Sequence, residues 1–114
     1  MLAKALWSQG IRYRLNYKKL PGSPDIAITK HKIAVFVDGE FWHGYEWEKR
    51  KPKLKANREY WIEKTEENIN RDKRNDLLLE KMNWQYIHFW EKDVLKNLSD
   101  CVTRVIELIE SPRI

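Results

Sequence analysis

Cysteine, glycine and proline are scarce in this sequence, and the scarcity of cysteine excludes whole classes of protein. A single cysteine, Cys101, allows no internal disulfide and none of the cysteine-rich zinc sites, which need two to four thiolates. Four glycines and four prolines are spread over 114 residues, with no linker, repeat or low-complexity tract. No apolar run approaches the roughly 18 residues of a membrane-spanning helix, and residues 1–9 are too short and too amphipathic for a signal peptide. We therefore expect a protein of the cytoplasm or nucleoid.

Charged and aromatic side chains are abundant instead. Lysine and arginine number 22 against 17 aspartates and glutamates, which gives a net charge of +5, and there are six tryptophans and five tyrosines. A basic balance indicates a polyanionic partner, and aromatic rings stack on nucleic-acid bases or wedge between them. A solvated basic surface without a partner is the alternative. The length fits one domain over residues 1–114.

The chain is organised around an apolar run at 33–37 that ends in polar residues. Its β-branched and aromatic content predicts a buried strand, and an Asp-Gly pair beginning at Asp38 predicts a turn. Phe41, Trp42 and His43 follow shortly after, so polar chemistry would lie at the edge of a rigid sheet. The alternative is a hairpin whose aromatic residues belong to the core and whose histidine is incidental.

A second strand at 26–28 should pair with the first as a hairpin, because residues 29–32 form a turn between them. Antiparallel pairing brings the start of one strand beside the end of the other, so Asp25 should lie near Val37 and Asp38. A carboxylate and a strand-end carbonyl are hard oxygen ligands, and Mg²⁺ needs few protein ligands because it keeps several waters. This edge of the sheet is therefore a candidate magnesium site.

A long helix is predicted over 57–82, where no glycine or proline interrupts the chain. At about 100° per residue, one narrow stripe of this helix carries polar groups and a tryptophan, namely Trp61, Thr65, Asn68, Asp72 and Asn75. Such a stripe suits a functional face better than a core face. An exposed polar face without a function is the alternative.

The other elements complete an α/β pattern. Helices are predicted from Leu2 to a stop at Gly10 and over 99–109, and residues 84–90 give the strongest strand pattern. A helical crossover should join that strand to the hairpin. We therefore expect a three-layer sandwich, with a central mixed β-sheet flanked by helices. The charged connection 46–55 is predicted to be a mobile basic loop near a phosphate backbone, or else a merely solvated loop.

Taken together, these motifs resemble those of the very short patch repair (Vsr-type) mismatch endonucleases, of the PD-(D/E)XK nuclease superfamily. The resemblance covers nearly the whole chain in order and spacing. It rests on Gly10–Arg14, Leu20–Asp25, Phe41–Gly44, Asn57–Trp61, Asn68, Arg71, Asp72, Asn75, Trp84, Trp90 and Glu91. It implies a restriction-endonuclease-like fold and Mg²⁺-dependent nicking of duplex DNA. A catalytically weakened or inactive DNA-binding relative is the alternative function.

The resemblance also implies roles for single residues. Asp25 would bind Mg²⁺, with Mn²⁺ as a substitute, together with the backbone carbonyl of Val37. His43 would move the proton during attack on the phosphodiester, and Asp72 would orient its ring. The residues expected to contact DNA are Phe41, Trp42, Trp61, Lys64, Asn68 and Arg71. The expected partners are double-stranded DNA, including mismatched DNA, and mismatch-repair proteins, with the chain a monomer in the bacterial cytoplasm or nucleoid.

Three departures from the family pattern bear on these roles. The positions of a structural zinc site in the family hold no soft ligand here but Glu40, Tyr45, Trp47 and Lys92, so structural zinc is not expected. Asp38 stands where the family has a histidine, and it could add a metal ligand or repel the phosphate. A metal-associated glutamate of the family's first helix would lie before Met1, so the chain is expected to lack the N-terminal segment of longer members.

Overall fold

Helices cover both faces of a mixed four-stranded sheet in the computed structural model, which describes residues 1–39, 47–53 and 57–110. The strands are β1 (Arg14–Leu15), β2 (Ile26–Ile28), β3 (Ile33–Asp38) and β4 (Gln85–Trp90). The helices are α1 (Leu2–Ser8), α2 (Trp47–Arg50), α3 (Arg58–Lys81), α4 (Glu91–Lys96) and α5 (Leu98–Glu110), with a 3₁₀ turn at Lys51–Lys53. The expected α/β sandwich is confirmed.

The order of strands in the sheet is β1-β2-β3-β4. β2 pairs with β1 and with β3 in antiparallel fashion, and the second pair is the predicted hairpin. β4 lies parallel to β3, with Val37 level with Phe89, because the long helix α3 carries the chain back to the starting edge. The predicted helical crossover is therefore present. It places the middle of α3 opposite the start of β2 and the end of β3, where the polar motifs lie.

The two faces of the sheet carry side chains of different size. On one face, large aliphatic and aromatic residues pack against α1, α4 and α5, and they include Ile26, Ile28, Ile33, Val35 and Phe89. On the other face, Ala27 and Ala34 leave room for Phe36 and for Leu79 of α3. Because these small residues face α3, the C-terminal end of α3 can approach the sheet closely. A space remains between the sheet and the middle of α3.

The helix ends follow local backbone chemistry. α1 stops where predicted, since Gly10 adopts φ +83°, a left-handed conformation that glycine accepts without strain. α3 begins after Asn57, which also has a left-handed φ of 52°. Among the described stretches of the chain, no helix is both long enough and apolar enough to cross a membrane.

The predicted basic loop over 46–55 is partly helical instead. α2 and the 3₁₀ turn occupy residues 47–53, and Trp47 is buried. The indole Nε1 of Trp47 donates a hydrogen bond to Glu66 of α3 at 3.3 Å, and the ammonium of Lys51 lies 3.2 Å from the same carboxylate. Trp47 and then Lys51 hold the pKa of Glu66 below its ordinary value. The segment is therefore docked on α3, which charge patterning alone could not show.

Candidate active site in the cleft between the sheet and helix α3

A cavity of about 510 Å³ lies where the start of β2, the end of β3 and the His88 region of β4 face the middle of α3. It is lined by Gly22, Ser23, Asp25, Phe36, Val37, Asp38, Arg71, Asp72, Asn75, Asp76 and His88. Sequence positions far apart thus meet at one edge of the sheet. A cavity of this volume can hold a group of small-molecule size but not a macromolecule.

The predicted meeting of Asp25 with the end of β3 is present. Because Ile26 is level with Val35, Asp25 reaches the level of Phe36 and points to the face that α3 covers. Its Oδ2 accepts a hydrogen bond from the backbone N–H of Val37 at 2.7 Å. One carboxylate oxygen is thereby fixed, and the bond leaves the other oxygen of Asp25 for a ligand in the cleft.

The polar stripe of α3 faces inward. Thr65 is only 1% exposed, while Trp61, Asn68, Asp72 and Asn75 are half-buried. The alternative of an exposed polar face is therefore wrong. Towards the sheet, the stripe brings Asp72 and Asn75 to the cleft.

His88 of β4 lies at the centre of a hydrogen-bonded chain that crosses the cleft. Its Nδ1 is 2.8 Å from Oδ2 of Asp38, and its Nε2 is 2.8 Å from Oδ1 of Asp76 on α3. Its ring stacks on Phe36, with centroids 4.6 Å apart and planes 12° from parallel. The register explains the arrangement: residues level with each other in a parallel pair point to the same face, and Phe36 is level with His88.

The electrostatics of the cleft follow from four carboxylates, Asp25, Asp38, Asp72 and Asp76, placed close together. Burial raises the pKa of Asp76, against the lowering effect of its bond with His88. Burial lowers the pKa of His88, but its hydrogen bonds to two carboxylates outweigh burial and raise that pKa to about 9. The imidazole is therefore charged at neutral pH and offsets part of the negative charge.

The loop before β2 closes one side of the cleft. Gly22 adopts φ +80°, and a Cβ there would lie 3.0 Å from Cε1 of Phe36 and 3.3 Å from Nδ2 of Asn75. A residue with a side chain would therefore push the loop away from both the sheet and α3. The close approach of the Leu20–Asp25 motif to α3 depends on this glycine.

The structure brings some of the predicted site residues together and leaves others apart. Arg71 lines the cleft with Asp72, whereas Lys64 is exposed farther along α3. Trp61 packs edge to face with Tyr60 at 4.9 Å. The predictions for Phe41, Trp42 and His43 fall outside the described residues, as do those for Glu40 and Tyr45.

Two residues of the cleft were missed from the sequence, Asp76 and His88. Asp76 follows Asp72 by one helical turn and so shares its face, which is a signal that helical spacing could have supplied. His88 stands inside an apolar strand and looked like part of the core. The position of His88 in the cleft depends on the register between β3 and β4, which no local sequence pattern determines.

The donor set of the cleft suits an ion that keeps most of its water. In the described part of the chain, no three histidine, cysteine, aspartate or glutamate side chains are arranged to hold a metal. Asp25 and the backbone of Val37 offer hard oxygens at one point of the lining. That pairing fits Mg²⁺ or Mn²⁺, which accept one or two protein oxygens plus waters, and it does not fit a four-coordinate zinc site.

Comparisons with known proteins find relatives that match most of this chain. The family described as DNA mismatch endonuclease Vsr matches residues 1–49. The Type II nicking enzyme V.NmeDIP of Neisseria meningitidis serogroup C is 48% identical over 108 residues, which are 95% of this chain and 73% of that protein. The Type II nicking enzyme V.HpaIIP of Haemophilus parainfluenzae is 51% identical over 85% of this chain and 69% of its own length. The DNA mismatch endonuclease Vsr of Escherichia coli K12 is 34% identical over 79% of this chain and 57% of its own length.

Proposed function

The chain belongs to the Vsr family of DNA endonucleases, and we propose that it nicks duplex DNA by metal-assisted hydrolysis of a phosphodiester held in the cleft beside α3. The observation that carries this proposal is the fixed carboxylate of Asp25 at the end of β3, bound to the N–H of Val37 at 2.7 Å. It supplies a hard oxygen on a rigid strand end, at the bottom of a polar cleft that opens to solvent.

The metal-binding residues in this proposal are Asp25, through its second oxygen, and Val37, through its backbone carbonyl. Mg²⁺, or Mn²⁺ in its place, would polarise the phosphate and lower the pKa of a bound water. The protein's own contribution is positional, because the bond from Val37 prevents the carboxylate of Asp25 from rotating. A carboxylate held in one rotamer loses little freedom when it binds a ligand.

Binding of the phosphate backbone depends on cations near the cleft. Arg71 lines the cleft and is exposed, so its guanidinium can bind a phosphate with two parallel hydrogen bonds. Lys64 lies farther towards the start of the same helix and can contact a neighbouring phosphate. The net charge of +5 supports duplex DNA as the partner, with an affinity that should fall as salt rises.

Proton transfer is assigned to His43, with Asp72 fixing the orientation of its ring. Asp72 is in the cleft lining, on the inward face of α3. The same helix carries Trp61 and Asn68 beyond the cleft, and the aromatic wedge would be completed by Phe41 and Trp42. Wedging side chains insert most easily where stacking is already weak, which supports mismatched duplex DNA as the preferred substrate.

The test is nicking of supercoiled plasmid and of a G·T-mismatched duplex, with Mg²⁺ or with EDTA. Asp25→Asn keeps the size of the side chain and an acceptor for Val37, but it removes the charge, so nicking should fall by about 100-fold or more. Asp100→Asn is the matched control, since Asp100 is exposed on α5 at the opposite face of the sheet. Nicking that persists in EDTA, or equally in Asp25→Asn, would contradict the proposal.

A further inference from the structure

The excess positive charge of this chain is concentrated in residues 1–24. They hold five lysines and arginines and no aspartate or glutamate, since Asp25 is the first acidic residue of the sequence. The other 17 basic residues are matched by the 17 acidic ones, so this segment carries the whole excess of +5. Four of its five cations lie between α1 and β2, and we call them the basic edge: Arg12, Arg14, Lys18 and Lys19. The net attraction of this chain for a polyanion therefore originates in this segment.

The pairing of β1 with β2 places the basic edge beside the cleft. Arg14 of β1 is level with Ala27, whose side chain faces α3, so Arg14 lies on the face of the sheet that carries the cleft. Immediately after β1, the N–H of Asn16 donates a hydrogen bond to the carbonyl of Asp25 at 2.9 Å. The end of β1 therefore lies next to the start of β2, which borders the cleft.

Lys18 and Lys19 lie in a turn that is anchored on both sides. Tyr17 packs against the apolar cluster under α3, and Leu20, which belongs to the same cluster, is buried. The N–H of Leu20 donates to the carbonyl of Tyr17 at 3.4 Å and closes the turn. The two lysines between them are exposed, and the chain continues from this turn to Gly22 in the lining of the cleft. The turn thus holds two ammonium groups in solvent near the cleft.

Arg12 continues the basic edge towards α1. Its guanidinium lies 3.8 Å from the centroid of the Trp7 ring and donates to the carbonyl of Trp7 at 3.3 Å. Both partners are uncharged, so they orient the guanidinium without neutralising it. Within the described stretches of the chain, no carboxylate forms an ion pair with any of the four cations, whereas Lys51 is paired with Glu66. The charge of the basic edge is therefore available to an external anion.

We propose that the basic edge is a second contact surface for duplex DNA, which binds phosphates that flank the one held in the cleft. The inference rests on the proposed function for the identity of its partner. Four carboxylates line the cleft against the positive charges of Arg71 and His88, so the side chains of the cleft alone repel a phosphate. Cations beside the cleft supply the attraction that its lining lacks. Contacts of this kind position a duplex without reading its sequence, because every nucleotide carries the same phosphate.

The test compares two double variants that each remove two positive charges. Lys18→Gln/Lys19→Gln removes both lysines of the basic edge, and Lys30→Gln/Lys96→Gln is the matched control. Lys30 is exposed in the turn between β2 and β3, at the far end of the hairpin from the cleft. Lys96 is exposed at the end of α4, which packs on the opposite face of the sheet from α3. Affinity for a fluorescent duplex is measured by anisotropy in EDTA over a series of salt concentrations.

The variant Lys18→Gln/Lys19→Gln should bind DNA more weakly and with less dependence on salt. The slope of log affinity against log salt should become shallower by about two, since each phosphate contact contributes about 0.9. At about 0.1 M salt, the affinity should fall at least about tenfold, while the control keeps the slope and affinity of the parent. The loss should be equal for a fully paired and a G·T-mismatched duplex, because phosphate contacts do not distinguish base pairs. In nicking, the variant should raise KM more than it lowers kcat.

Two variants of Arg14 separate its charge from its packing. Arg14→Gln should make the slope shallower by about one, whereas Arg14→Lys keeps the charge and should keep the slope. A slope that changes equally in Lys18→Gln/Lys19→Gln and in the control, or in neither, would overturn the inference, and the basic edge would be a solvated surface or a site for an acidic protein. If the parent does not nick DNA but the expected change of slope is found, the proposed function fails and the DNA-binding surface stands.

Discussion

The stability of this protein should fall as the pH rises from about 6 to about 8.5, and most of the loss should come from His88. Burial lowers the pKa of this imidazole, but its hydrogen bonds to Asp38 and Asp76 outweigh that effect and raise the pKa from 6.5 to about 9. The folded protein therefore keeps a proton on His88 over a range in which the unfolded chain releases it.

The sign and the size of this loss of stability follow from the linkage between proton binding and folding. A folded pKa above the unfolded one contributes stability that is fully present below about pH 6.5 and is lost as pH rises through about 9. Over the range from about pH 6 to about pH 8.5, this difference amounts to roughly 2 kcal/mol. For a chain of 114 residues, that corresponds to a fall of about 8 °C in Tm.

The assay is urea denaturation of the metal-free protein at several pH values, for the parent, His88→Asn and His31→Gln. The parent and His31→Gln should lose about 2 kcal/mol between the two ends of the range, whereas His88→Asn should be nearly flat. Burial also raises the pKa of Cys101, but this residue is unchanged in all three proteins, so its contribution cancels when their curves are compared. Parallel curves for the parent and His88→Asn would refute the reasoning.

Two predictions concern the packing that surrounds the cleft. Gly22→Ala should cost about 1–2 kcal/mol, because the left-handed backbone strains alanine and its Cβ would lie 3.0 Å from Phe36; a Tm equal to that of the parent would contradict the close packing of this loop. Leu79→Ala should cost about 3 kcal/mol in urea denaturation, since Leu79 is fully buried between α3 and the sheet. The neighbouring Leu78→Ala, at a side chain that is 47% exposed, should cost less than about 0.5 kcal/mol, and equal losses would show that α3 is rotated from its described position.

The hairpin and the crossover could be predicted because their causes are local. The turn between β2 and β3 is short, so antiparallel pairing sets the level of each residue and brings Asp25 to Val37 without any knowledge of the rest of the chain. An uninterrupted helical stretch followed by a strongly apolar strand leaves a parallel crossover as the natural connection. The candidate metal-binding oxygens are therefore readable from about a dozen consecutive residues.

The bonds of His88 could not be predicted in the same way. They require the register of β4 against β3 and the rotation of α3 about its axis at the same time, and these are set by packing between elements far apart in the chain. The docking of α2 was missed for a similar reason. The sequence predicted a mobile basic loop near a phosphate backbone, or a solvated loop, because the bonds of Trp47 and of Lys51 in the following 3₁₀ turn to Glu66 form only once α3 is in place.

The two faces of the sheet differ in polarity, and this difference explains why the position of some helices could be predicted and that of α3 could not. α5 is strongly amphipathic and packs on the face with large aliphatic residues, so its position follows from hydrophobic periodicity. α3 is only weakly amphipathic, because the face that it turns to the sheet is apolar at Leu79 and polar at Asp72 and Asp76. Where an inward face carries carboxylates, its position must be held by directed bonds such as the one to His88. The polar residues that weaken the amphipathic pattern of α3 are thus the residues that line the cleft.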